Sequence, residues 1–114
     1  MIAKLTGVLH EADGDGVVVD VGGVGYLVYA SARTLRTLPG AGVQVSLFID
    51  THVREDHIHL FGFVDVGERA WFRLLLTVQG VGAKAALAVL SVLEPDALAQ
   101  AIAAADAPAI TQAQ

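Results

Sequence analysis

Cysteine is absent from the 114 residues. Disulfides, thiol nucleophiles and cysteine-ligated zinc are thereby excluded, and nothing points to an oxidising compartment. Charge is scarce, at 17% of the residues, and runs acidic: 12 Asp and Glu against 7 Lys and Arg, a formal net charge of −5. That balance argues against a broad cationic surface of the kind that grips phosphates. No apolar run approaches the roughly 20 residues of a membrane helix. The opening Met1-Ile2-Ala3-Lys4-Leu5-Thr6 alternates instead of forming the apolar block of a signal peptide. The chain reads as cytoplasmic, with no membrane role.

Hydrophobic residues make up 54% of the chain, enough for the core of one or two small domains. With so little charge to cover the remainder, apolar surface is expected to be covered by partner subunits, so an oligomer is expected.

Residues 1 to 63 read as strands of period two. Ile2 to His10 alternates, Asp13-Gly14-Asp15-Gly16 breaks the run, and Val17 to Val21 resumes it. Gly22-Gly23-Val24-Gly25 makes a tight turn and is too short for a dinucleotide loop, since a strand follows where a helix is required. Tyr26 to Ala30 is a third strand, Ser31 to Leu38 one or two helical turns closed by Pro39-Gly40, Val43 to Val53 a long fourth strand, and Ile58 to Phe63 a fifth. Five strands with one short helix before the fourth suit a small Greek-key barrel, either OB-like or SH3-like.

From Asp65 the period becomes helical, with Trp71, Leu74, Leu75 and Val78 as the expected apolar stripe. Ala83 to Val92 is a second helix and Asp96 to Ala105 a third, opened by Pro95, while Pro108 can open a last turn. The fold class is therefore mixed, a β-barrel at 1–63 followed by an all-α domain at 64–114. The final Ile110-Thr111-Gln112-Ala113-Gln114 carries no cap and reads as a truncation.

Between the first two of these helices stands Gly80-Val81-Gly82-Ala83-Lys84, a helix-hairpin-helix pattern. The glycines allow a tight reversal and leave the backbone uncrowded for a phosphate. Val81 plugs the turn into the core. The amides of Gly82, Ala83 and Lys84 start a helix without intrahelical acceptors, and Lys84 adds a cation. Such a site grips backbone and reads no base. A plain helical hairpin with a glycine-rich corner is the bland alternative.

Four stretches in order, Val21-Gly22-Gly23-Val24-Gly25-Tyr26, Val53-Arg54-Glu55-Asp56, Leu60-Phe61-Gly62-Phe63 and Gly80 to Ala88, resemble the RuvA family over nearly the whole chain. The resemblance implies an OB-fold first domain and a helix-hairpin-helix second domain. It also implies assembly as a homotetramer, or two face-to-face tetramers, on four-way junction DNA in recombination and repair. The implied partners are the RuvB motor ATPase and the RuvC resolvase, and no catalytic site, cofactor or metal is implied. Glu55 and Asp56 match the family's acidic pin, whose carboxylates repel phosphate at the centre where strands exchange. Arg54 and Arg73 are possible DNA contacts. A second, basic hairpin and a RuvB-binding domain belong to the family beyond the point where this chain ends.

Two rival readings are weaker. A single-strand-binding OB module calls for aromatic and basic residues interleaved on its strands, and aromatics are only 6% of the chain. A hydrolase built on histidine with Asp50, Glu55 or Asp56 lacks a recognised ligand spacing. His52, His57 and His59 read as solvated rim residues, Trp71 and Phe72 as core or subunit contacts, and Arg69 as a solubilising residue.

Overall fold

A computed structural model describes residues 2–92. Five strands, β1 (Lys4–Asp13), β2 (Gly16–Val21), β3 (Val24–Tyr29), β4 (Gln44–Val53) and β5 (Ile58–Phe63), close into one barrel in the order β1-β2-β3-β5-β4. The β3–β5 pair is parallel and the other four are antiparallel. Helix α1 (Ala32–Thr37) bridges β3 to β4, and α2 (Val66–Leu75) and α3 (Ala83–Val92) follow the barrel. This closed five-stranded barrel is consistent with an OB fold. The expected third helix and the turn at Pro108 lie outside the described residues.

Alternation builds the barrel interior. Leu5 and Leu9, Val17 and Val19, Leu47 and Ile49, with Val28 and Leu60, point inward and form one buried cluster. Gly62, the inward position after Leu60, has no room for more: a Cβ there would collide with Val28 Cγ1 and reach 3.4 Å from Leu47 Cδ1. The first strand runs on past His10 to Asp13, because a bulge between Leu9 and Ala12 bends it and lets pairing with β2 continue. The turn after β2 places Gly22 at φ 61° and Gly23 at φ 94°, with the Gly23 amide donating to Asp20 Oδ1 at 2.8 Å. Two successive positive φ values suit a two-residue hairpin, which explains the glycine pair.

The outward residues of β5 serve a second core. Phe61 and Phe63 pack with Phe72 and Leu75 of α2, Val81 of the hairpin turn, and Ala86, Leu87, Val89 and Leu90 of α3. The buried stripe of α2 therefore runs through Phe72 and Leu75, and Leu74 is 43% exposed, a correction of the expected stripe. Trp71 and Val78 pack against this core as partly buried residues. The offset follows from Phe72 meeting Phe61 and Phe63 at ring-centroid distances of 5.2 and 5.0 Å, which sets the rotation of the helix.

Helix α2 begins at Asp65, whose carboxylate accepts the Glu68 amide at 2.7 Å. Glu68 is then free to reach sideways, accepting from the Thr34 hydroxyl at 2.6 Å and, more weakly, from Ser31 at 3.5 Å. Ser31 and Thr34 are the buried polar side chains of the barrel cap. The Ser91 hydroxyl of α3 accepts the Ala32 amide at 2.9 Å, so α1 is tied to both later helices.

Replacing Gly62 with alanine is expected to lower stability by about 1–3 kcal/mol through overpacking. Urea denaturation followed by far-UV circular dichroism measures it.

Candidate nucleic-acid interface

Three features of the described residues fall along β5 and its neighbours. At one end lies the β4–β5 turn. Val53 pairs with Ile58, the Arg54 amide donates to the His57 carbonyl at 2.8 Å, and Glu55 and Asp56 form the two-residue tip. Both tip residues are exposed, the Asp56 side chain to 86%. Asp56 Oδ1 lies 2.8 Å from His57 Nδ1, and the Arg54 guanidinium donates to the Val53 carbonyl at 3.1 Å. The tip thus presents carboxylates to solvent at the end of a stiff antiparallel ribbon.

At the other end lies the hairpin between α2 and α3. Leu76, Thr77 and Val78 wind down from α2 through amides donating to Phe72, Leu74 and Leu75, and the Val81 amide returns to the Val78 carbonyl at 3.1 Å. Gly80 sits at φ 87°, in the left-handed region. Val81 is buried at 6% exposure, anchoring the turn in the second core. The Ala86 amide closes on the Gly82 carbonyl at 2.9 Å, so the amides of Ala83, Lys84 and Ala85 precede the first intrahelical bond and carry the positive end of α3. A Cβ on Gly82 would meet nothing within 4 Å. The two glycines therefore differ: backbone geometry requires Gly80, whereas nothing within the described residues crowds Gly82. Lys84 is exposed on the first turn.

Between the two ends, charged side chains bind α2 to the barrel. Asp50 of β4 is the node: its Oδ1 accepts from Arg73 Nε and Nη2, each at 3.2 Å, and its Oδ2 lies 3.1 Å from His52 Nε2. His52 in turn stacks edge-on against Phe61 at 4.8 Å. Arg69 is no mere solubilising residue. Its guanidinium donates to the Ala3 carbonyl at 3.1 Å and sits 5.4 Å over the Phe48 ring, clamping α2 to β4 and to the residue just before β1. Of the two arginines named as DNA contacts, Arg54 stands at the exposed turn and Arg73 is engaged with Asp50 while its side chain stays 53% exposed.

Sequence reasoning found the tip and the hairpin. It missed Asp50 and Glu68 as fasteners, since isolated acidic residues in a strand and a first helical turn carry no pattern of their own. Among the described residues no group of three or more His, Cys, Asp or Glu is placed to hold a metal, and no helix is long and apolar enough to cross a membrane.

The model of the RuvA N-terminal domain matches residues 1–62. The chain belongs to the RuvA N-terminal domain family. Curated relatives extend the match past the barrel: proteins named Holliday junction branch migration complex subunit RuvA from Rhodospirillum centenum, Methylobacterium radiotolerans and Azorhizobium caulinodans are 60%, 58% and 55% identical over 113 residues, which is 99% of this chain. The chain spans about half the length of these relatives, 55% of each.

Asp50→Ala is expected to cost about 1–2 kcal/mol, because His52 and Arg73 lose a charged acceptor, with the exposure of Arg73 holding the figure down. Thermal unfolding of the variant measures it, and an unchanged midpoint would contradict the fastening role.

Proposed function

We propose that this chain is the junction-recognising part of a branch migration subunit that binds four-way DNA by shape and backbone, without reading sequence. The observation that carries the reading is the pairing of opposite electrostatic features on one strand system. Exposed carboxylates stand at the β4–β5 tip, and an uncrowded helix start with Lys84 stands at the hairpin packed against the far end of β5. Membership of the RuvA family and the names of the relatives supply the ligand class.

In this reading the amides of Ala83 to Ala85, the open backbone at Gly82 and the Lys84 ammonium hold a phosphate of a duplex arm. Glu55 and Asp56 repel phosphates at about 1 kcal/mol per close pair in water and more where water is excluded. A continuous duplex laid across the tip suffers that repulsion, and an open crossover does not. Discrimination thus arises from a penalty on the wrong structure. Repetition by symmetry in a homotetramer or octamer multiplies both effects, with residues 1–63 as the barrel unit and 64–114 as the helical unit. The acidic balance of this chain leaves much of the binding strength to the rest of the protein. The whole protein performs no catalysis of its own, acts in the cytoplasm, and works with a RuvB motor ATPase and a RuvC resolvase.

The intact protein is expected to bind a four-way junction far more tightly than linear duplex of the same length at matched salt, in gel-shift or anisotropy titrations. With Glu55→Gln and Asp56→Asn together, duplex binding should rise and the junction preference shrink. Loss of all DNA binding by this double variant would overturn the repulsive role.

The hairpin glycines give a second, separable expectation. Gly80→Ala forces a side chain into a positive φ and should destabilise by about 1–2 kcal/mol. Gly82→Ala should leave the unfolding midpoint within about 0.5 kcal/mol yet weaken junction binding several-fold, since a methyl group then stands where the phosphate approaches. Equal binding by Gly82→Ala and the parent would remove this loop from the interface.

A further inference from the structure

Between the tip and the hairpin runs a row of rings, joined to the tip by the His57–Asp56 contact and to the hairpin's core through Phe61. His57, His59 and Phe61 share one face at a spacing of two. Their rings touch in series: His57 and His59 are 4.1 Å apart between centroids with planes inclined 31°, and His59 and Phe61 are 6.2 Å apart. Tyr29 of the neighbouring β3 meets His59 edge-on at 5.3 Å. The helices cover only one end of this row. Phe61 is buried, His59 and Tyr29 are half-buried, and His57 is exposed.

Where the cover stops, a cleft of about 610 Å³ opens between Asp15, Tyr29, His59 and Phe61 on the barrel side and Ala83 and Lys84 on α3. That volume lies in the range of sites that hold a small organic group. The cleft has aromatic walls on one side and a cation on the other. His59 on its wall packs against the exposed ring of His57, which follows the acidic tip directly in the chain.

We propose that this row is a stacking platform for one or two unpaired bases of a DNA strand, leading from the acidic tip into the cleft beside Lys84. The inference rests on the reading of the chain as a junction binder and adds a ligand class to it: single nucleotides released from the stack at a branch point. Ring faces take any base, because every base has a π-face, so stacking preserves indifference to sequence. The phosphate of a base stacked on His59 is drawn toward Lys84, while Glu55 and Asp56 keep the backbone away from the opposite end. A base held in intact duplex has both faces occupied by its neighbours and cannot use the platform. The low aromatic content of the sequence hid this surface, since two of its rings are imidazoles, one exposed and one half-buried.

The test uses the intact protein and a short oligothymidine carrying one 2-aminopurine, whose fluorescence falls on stacking. The parent should bind and quench it. His59→Ala should weaken binding about tenfold and abolish the quench, and His59→Phe, which keeps a ring and removes the ionisable group, should restore both. His57→Ala, at an exposed position, should lose part of the quench. Parent-like behaviour of both alanine variants, failure of the parent to bind the oligonucleotide, or failure of His59→Phe to rescue would each overturn the platform. Junction-over-duplex preference measured on the same preparations separates the two readings. Its absence with the ring-dependent quench intact counts against the proposed function alone, and its presence without the quench counts against the platform alone.

Discussion

The contact of Phe72 with Phe61 and Phe63 is the constraint on which the remaining features depend. Strand β5 has two faces and each closes a different core. Leu60 and the space left by Gly62 belong to the barrel, whereas Phe61 and Phe63 belong to the helices. Burial of each phenylalanine contributes roughly 1.5–3 kcal/mol, so the helices gain much of their own core from a strand of the barrel. The chain is covalently continuous across residue 63 and physically continuous as well. Around this apolar seam, Glu68 with Thr34, Ser91 with Ala32, Asp50 with Arg73, and Arg69 with the Ala3 carbonyl fix the rotation and reach of the helices.

In the proposed function, that fixation matters for recognition by shape. A single phosphate-binding loop and a single acidic turn are weak features, common on proteins that never meet DNA. They acquire meaning only when held at a constant separation, because the discriminating quantity is where the repulsion falls relative to where the backbone is held. The tip rides on the β4–β5 ribbon, and the hairpin is nailed through Val81 into the core that β5 helps to build. One strand therefore gauges the distance between the hairpin and the acidic tip.

Much of this was legible in the sequence. Alternation and glycine punctuation located each strand among the described residues, and the switch of period at Asp65 located α2. The Gly80-Val81-Gly82 turn was readable because a tight reversal demands glycine, and the Glu55-Asp56 tip because it matches the family's motif between two readable strands. Orientation was less accessible. The expected stripe included Leu74, and the helix buries Phe72 instead, since an apolar residue lies on either side of the true seam and only the facing phenylalanines of β5 decide between them. Arg69 looked like a surface residue because its guanidinium interacts with a backbone carbonyl and the face of Phe48, neither of which leaves a mark in sequence spacing. The ring row of His57, His59 and Tyr29 depends on the parallel β3–β5 pairing, a contact between strands separated by α1 and β4.

The central claim is that barrel and helices form one cooperative body through the β5 seam, and native-state hydrogen exchange tests it most directly. Amides in the interior of α2 and α3, such as those of Leu75, Val89 and Leu90, should exchange through the same global opening as those of Leu60 and Phe61 and share one denaturant dependence. Exchange of the helical amides through a separate, less costly opening, with the barrel amides still protected, would contradict it and leave tip and hairpin without a fixed distance between them.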